Sequence, residues 1–162
     1  MATAIVYYSL NGNSELAANR IAERIGADLI RIEPQKAYPD KGASKFIWGG
    51  KAAMMSEKPA LKPYTFDAER YDRVIFGFPV WASRVTPPIR TFIEENRSGL
   101  EGKSIAAFVC QTGGGGDKCL IRLKELLGTD DLEAEEIFYD PKDKPSAENE
   151  NRLDLFCGKL KK

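Results

Sequence analysis

The residues best suited to chemistry in this chain are Ser9, Leu10, Asn11, Gly12, Asn13 and Ser14. The apolar, β-forming run Ile5-Val6-Tyr7-Tyr8 stops abruptly at them, and a helical pattern from Glu15 to Ile25 opens immediately behind. A loop of hydroxyls, amides and a glycine between a strand and a helix start is suited to an anion. The first N–H groups of a helix have no intrahelical partner, and its dipole favours negative charge there. The loop holds no Lys or Arg, so a phosphate dianion would be held by amides and hydroxyls alone. The same stretch also reads as an N-capped helix after a tight turn, with Asn13 or Ser14 as the cap.

Two further loops carry chemistry. Pro79, Val80, Trp81 and Ala82 follow a second apolar run and precede Pro87-Pro88. Thr112, Gly113, Gly114 and Gly115 follow a third, where the missing side chains let the backbone approach a ligand closely. An indole beside a glycine loop suits a flat, hydrogen-bonding heterocycle. The chain has no histidine, which excludes Ser–His and Cys–His nucleophile pairs and histidine-ligated metals. Three dispersed cysteines are too few for a structural zinc, so no metal site and no catalytic side chain are expected. Gly102-Lys103-Ser104 imitates the end of a nucleotide P-loop, but Arg97 stands where that motif needs glycine and the triplet enters a strand. Cys119 sits early in a helix beside the glycine loop, where a packed, inert thiol is expected over a reactive one. The charged tract 140–150 reads as a solvated loop entering the last helix.

Strands are expected at 3–8, 28–33, 73–78, 104–110 and 134–138, and helices at 14–25, 87–96, 117–127 and 147–159. In the first helix Leu16, Ala17, Ile21 and Ile25 share one face. Between the second and third strands Pro34, Pro39, Pro59 and Pro63 punctuate a long connection, with a helix expected near 46–55. Uninterrupted apolar strands between amphipathic helices imply a parallel sheet covered on both faces. The expected fold is α/β, a three-layer doubly wound five-stranded sheet in the order 2-1-3-4-5. In such a sheet ligands bind beyond the C-terminal strand ends, at the switch between strands 1 and 3. All three loops fall on that rim.

A length of 162 residues fits one domain spanning 1–162. No apolar run approaches the ~18 residues of a membrane span, and the chain enters its first strand without a secretory leader pattern. With an odd number of unpaired cysteines, a cytoplasmic protein with reduced thiols is expected. Lys plus Arg and Asp plus Glu are 24 each. No basic stripe suggests a nucleic-acid partner.

Three motifs in this order, on these strand ends, resemble the flavodoxin-like FMN-binding family, specifically the short-chain flavodoxins, over nearly the whole chain. The family's phosphate loop usually reads Ser/Thr-x-Thr-Gly-Asn-Thr; here Asn11 and Ser14 replace threonines. The resemblance implies FMN as cofactor, with Ser9, Leu10, Asn11, Gly12, Asn13 and Ser14 around its phosphate. It implies that Pro79, Val80, Trp81 and Ala82 line the isoalloxazine and that Thr112, Gly113, Gly114 and Gly115 meet its polar edge. The implied function is electron transfer with a redox partner protein. Alternatives are a small FMN-dependent reductase using NAD(P)H and a quinone-type acceptor, or a flavin-less binding module of the same fold.

Three departures bear on that choice. The glycine loop lacks the second aromatic common in the family, so one ring face is either open or covered by Phe46, Trp48 or Met54, or by a homodimer partner. The family turns a second-loop peptide toward the flavin at positive φ, which suits glycine. Ala82 and Ser83 stand there instead, and their Cβ atoms are expected to disfavour it by roughly 1–2 kcal/mol. The neutral net charge also differs from strongly acidic low-potential carriers, and Arg84 is either near the site or a solvated surface residue.

Overall fold

The computed structural model describes residues 1–38 and 58–161. Strand β1 (Thr3–Tyr7) leads into helix α1 (Asn13–Ile25) and strand β2 (Asp28–Arg31). Strand β3 (Arg73–Pro79) is followed by α2 (Pro87–Glu95) and the short α3 (Arg97–Leu100). Strand β4 (Ser104–Gln111), helix α4 (Gly116–Leu127), strand β5 (Glu135–Tyr139) and helix α5 (Ala147–Leu160) complete the order. The sheet is five-stranded, parallel throughout, in the order β2-β1-β3-β4-β5. This is the expected topology.

Side-chain alternation along β1 divides the core in two. Val6 and Tyr8 join Phe76, Ile89, Phe92, Leu120 and Leu123 on the face covered by α2 and α4. Ile5 and Tyr7 join Phe108, Ala18, Ile21, Leu153 and Phe156 on the face covered by α1 and α5. Both tyrosines are buried. In α1 the buried stripe is Ala17, Ala18, Ile21 and Ala22, while Leu16 and Ile25 are only half-buried. Strand β3 carries Gly77 where a Cβ would lie 2.1 Å from Phe108 Cζ. Any larger residue there would displace that ring from the lower core.

Element ends differ from expectation by one or two residues. Strand β2 ends at Arg31, although Ile32 is fully buried and still donates its N–H to the Tyr7 carbonyl at 2.9 Å. The two ends of the long connection are zipped together: Gln35 N–H donates to Ala60 O and Lys62 N–H to Glu33 O, both at 2.8 Å. The expected helix at 46–55, with the ring-covering roles of Phe46, Trp48 and Met54, lies outside the described residues.

Helices α1 and α5 run side by side on the lower face, tied by two charge pairs at matched four-residue spacing. Arg20 forks onto Glu150, and Arg24 reaches Asp154. At the N-terminal edge of the sheet Arg73 is only 4% exposed. Its guanidinium donates to Glu133 (Nε at 2.7 Å), to Thr3 Oγ1 at 3.3 Å and to the Leu160 carbonyl at 3.0 Å. A buried cation is tolerated only when its donors are largely met, and these partners take four of its five N–H groups.

Candidate functional site

The first loop leaves β1 at its C-terminal end. Gly12 adopts φ 101° and stands at the N-cap of α1, with no side chain capping the helix. This corrects the expectation of an Asn13 or Ser14 cap. The left-handed turn at Gly12 reverses the chain one residue early, so both residues already lie in the helix, whose first bond runs from Leu16 N–H to Gly12 O at 3.0 Å. Ser9 Oγ accepts the Gly12 N–H at 3.1 Å and braces the loop from inside. Ser14 is 1% exposed. Its Oγ lies against the Cys110 thiol and has no hydrogen-bond partner of proper geometry.

The Asn13 carboxamide keeps a long bond inside the loop, Nδ2 to Asn11 Oδ1 at 3.5 Å, but its shorter bonds lead out of it. Its Oδ1 accepts the Lys142 N–H at 2.8 Å and the Asp143 N–H at 3.3 Å, while Nδ2 donates to Asp143 Oδ2 at 3.1 Å. The connection between β5 and α5 is thereby clasped onto the first loop. Lys142 Nζ donates to the Asn11 carbonyl at 3.1 Å. A loop without a cation in its own sequence thus meets two from outside it, Lys142 and Arg31, whose Nη2 donates to the Ser9 carbonyl at 3.4 Å.

In the second loop Trp81, Ala82, Ser83 and Arg84 form a tight turn, closed by Arg84 N–H to Trp81 O at 3.0 Å. Ala82 and Ser83 both have positive φ, 51° and 57°. The conformation that their Cβ atoms were expected to disfavour is thus already present in the loop. Closing two extended arms with a two-residue turn of type I′ demands positive φ at both central residues, and the closure overrides the local preference. Trp81 is half-buried. Its ring stands edge-on to Tyr8, with centroids 5.6 Å apart, and to Tyr38 at 5.4 Å. Arg84 points away, into a groove shared with Arg90 and Arg122.

The third loop leaves β4. Gln111 Oε1 accepts the Gly116 N–H at 2.9 Å, so one free amide at the start of α4 is already satisfied. Thr112 Oγ1 donates to Asp140 Oδ1 at 3.0 Å, and Asp140 itself adopts φ 40°. Gly113 and Gly114 are exposed, with nothing within 4 Å of an added Cβ. A Cβ on Gly115 would lie 2.5 Å from Ser83 Oγ, so the second and third loops touch. Burial pushes the Cys110 and Cys119 thiols up to about 12. Cys119 is the packed, inert thiol expected, its Sγ donating to the Arg84 carbonyl at 3.2 Å.

One pocket gathers the three loop ends. Leu10, Asn11 and Asn13 line it from the first loop, Pro79, Val80 and Trp81 from the second, and Thr112 from the third. Cys110 and Asp140 complete the lining. Of the remaining expected site residues, Ser9, Gly12 and Ser14 shape the first loop from behind, while Ala82 and Gly113, Gly114 and Gly115 form the outer rim without lining the pocket. Sequence reasoning missed Asp140, Cys110 and Lys142. The signal available was positional: the chain beyond β5 leaves from the same rim as the other loops. A larger cavity, about 670 Å³, lies at the opposite rim against Lys103, Ser104, Leu132 and Glu133, away from these loops.

These features fit the two ends of an FMN molecule. The left-handed Gly12, the free amides at the α1 N-terminus and the unpartnered Ser14 hydroxyl fit a phosphate. The Trp81 indole and the open glycine loop fit a flat ring. Among the described residues no group of His, Cys, Asp or Glu could hold a metal ion, and no helix is long and apolar enough to cross a membrane.

Residues 2–140 match the family model described as Flavodoxin. No curated protein matches the sequence significantly. Among solved structures, a Bacteroides uniformis ATCC 8492 protein assigned as a flavoprotein superposes with TM-score 0.75 at 22% identity, covering 99% of this chain and 98% of that one. A Lactobacillus acidophilus NCFM flavoprotein in complex with FMN gives TM-score 0.70 at 19% identity, over 88% of this chain and 95% of that one. Two-electron reduced Megasphaera elsdenii flavodoxin gives 0.57 at 18%, over 98% and 94%.

Proposed function

The chain belongs to the flavodoxin family, and from that premise we propose that it binds FMN and passes electrons to a redox partner protein. The observation that carries this reading is the meeting of three loop ends, from β1, β3 and β4, around one pocket beside an N-terminal helix dipole. Bound FMN would supply the redox chemistry at its isoalloxazine ring. The protein's part is to bind and orient it. The free amides after Gly12 and the Ser14 hydroxyl take the phosphate. Leu10, Pro79, Val80 and Trp81 give the ring an apolar bed, while Thr112 and the glycine loop offer donors to its polar edge. Trp81 is held for this by its edge contacts with Tyr8 and Tyr38.

The test is the absorbance spectrum of the purified protein, followed by titration with FMN. Flavin bands, or micromolar or tighter binding that Trp81→Ala weakens, support the reading. Failure to bind FMN at high concentration overturns it and favours a flavin-less binding module.

A second reading, a small reductase, draws on the openness of Gly113 and Gly114, which leave space for a nicotinamide or a flat substrate. Steady-state NAD(P)H oxidation with a quinone separates the two, because a carrier alone turns over almost none.

A further inference from the structure

We propose that Lys142 is a charged ligand of the phosphate subsite, carried to the first loop by the connection between β5 and α5. The inference rests on the FMN reading and deepens it. The residue lies beyond the stretch that matches the family model, 2–140.

The geometry comes from two ends of the same residue. The Lys142 main chain is fixed, its N–H held by Asn13 Oδ1 at 2.8 Å. Its side chain then runs along the loop: a Cβ on Gly12 would lie 2.8 Å from Lys142 Cδ and 3.0 Å from Nζ. The ammonium ends on the Asn11 carbonyl at 3.1 Å. An ammonium has three donors and this bond uses one, so the others stay available to an anion seated in the loop.

The surrounding charges give the ammonium a task. Asp143 Oδ2 is held 3.1 Å from Asn13 Nδ2, at the loop's own first helical residue. Asp140 lines the pocket and is approached by Lys144 at 3.9 Å. A phosphate dianion in this loop would face both carboxylates. No carboxylate among the described residues pairs with Lys142, so its charge is uncommitted and stands against the loop. The absence of Lys and Arg from 9–14 is thereby offset by a cation borrowed across the fold.

The experiment compares FMN with riboflavin, which lacks the phosphate, by flavin fluorescence titration at low and moderate salt. Proteins compared are the wild type, Lys142→Gln, Lys142→Arg and, as a distant charge control, Lys159→Gln. The expected result is an FMN affinity lowered about three- to tenfold in Lys142→Gln, as for one screened charge near 4 Å. Riboflavin affinity stays unchanged, the salt dependence of FMN binding flattens, Lys142→Arg recovers most of the loss, and Lys159→Gln matches the wild type. Equal loss for FMN and riboflavin would overturn the proposal by showing that the side chain acts through packing on the loop. Unchanged FMN binding in Lys142→Gln would overturn it too, while leaving the FMN reading intact. A wild type that binds neither flavin would remove the FMN reading and this inference together.

Discussion

Asn13 and Lys142 stand 129 residues apart and meet at 2.8 Å, the carboxamide oxygen of one accepting the backbone N–H of the other. The same carboxamide holds Asp143 through both its oxygen and its nitrogen. A single side chain thus joins the loop after β1 to the connection that follows the last strand, β5.

Asn13→Ala removes those bonds and leaves two backbone N–H groups without a protein acceptor. Stability is expected to fall by about 1–2 kcal/mol in urea denaturation. Amide exchange should accelerate at 142 and 143 but not in the central strand β3. Protection unchanged at those two amides would show that the clasp is not what holds the connection.

Trp81→Ala removes the indole that lines the pocket. If the ring of FMN lies on it, affinity should drop roughly ten- to hundredfold, and Trp81→Phe should restore most of it. Calorimetric titration reads both.

The turn at Ala82 and Ser83 places side chains where asparagine and glycine are preferred. The double change Ala82→Asn with Ser83→Gly should stabilise the protein by about 1 kcal/mol, a rise in Tm of about 2–4 °C. A drop in Tm would mean that Ser83 Oγ, packed beside Gly115, contributes more than the backbone strain costs.

At the opposite rim, Glu133→Ala leaves the Arg73 guanidinium buried with only Thr3 and Leu160 as acceptors. A loss of about 2 kcal/mol is expected, less than for a fully buried pair because Glu133 keeps some solvent contact. FMN affinity should not change, since this rim is remote from the pocket.

Alkaline conditions should weaken the fold through its cysteines. Burial raises Cys110 and Cys119 from 9.0 to about 12, so above pH 9 the unfolded chain loses protons that the native state keeps. Stability is therefore intact below pH 9 and falls as pH rises toward 12, by about 1.4 kcal/mol per pH unit for each thiol. The buried Tyr8 phenol, also raised by burial, adds in the same direction above pH 10. Denaturation midpoints across that range check the slope. Native Cys110 and Cys119 should also resist alkylation at pH 8.

The sheet order was legible because the central strands β1, β3 and β4 are apolar runs that each end in a loop of polar, proline or glycine residues, and amphipathic helices follow β1, β3, β4 and β5. Most of the pocket was legible for the same reason: strand ends in a doubly wound sheet share a rim. Other features depend on contacts that no local pattern encodes. The cap of α1 moved to Gly12 because Asn13 is drawn to a partner on the far side of the chain. Ala82 and Ser83 took a conformation their side chains resist because a closing hydrogen bond required it. Lys142 looked like one lysine in a solvated tract, and only its seat beside Gly12 distinguishes it.

The Asn13 clasp also sets an order of events in biosynthesis. During vectorial synthesis β1 and its loop emerge long before residues 142 and 143, which follow β5. All five strands precede these residues, so the nascent chain can present the whole sheet while the cradle still lacks Lys142. The clasp therefore forms only after β5 has been made, and a chain truncated before residue 142 would keep every strand of the sheet while lacking the bonds at Asn13 Oδ1.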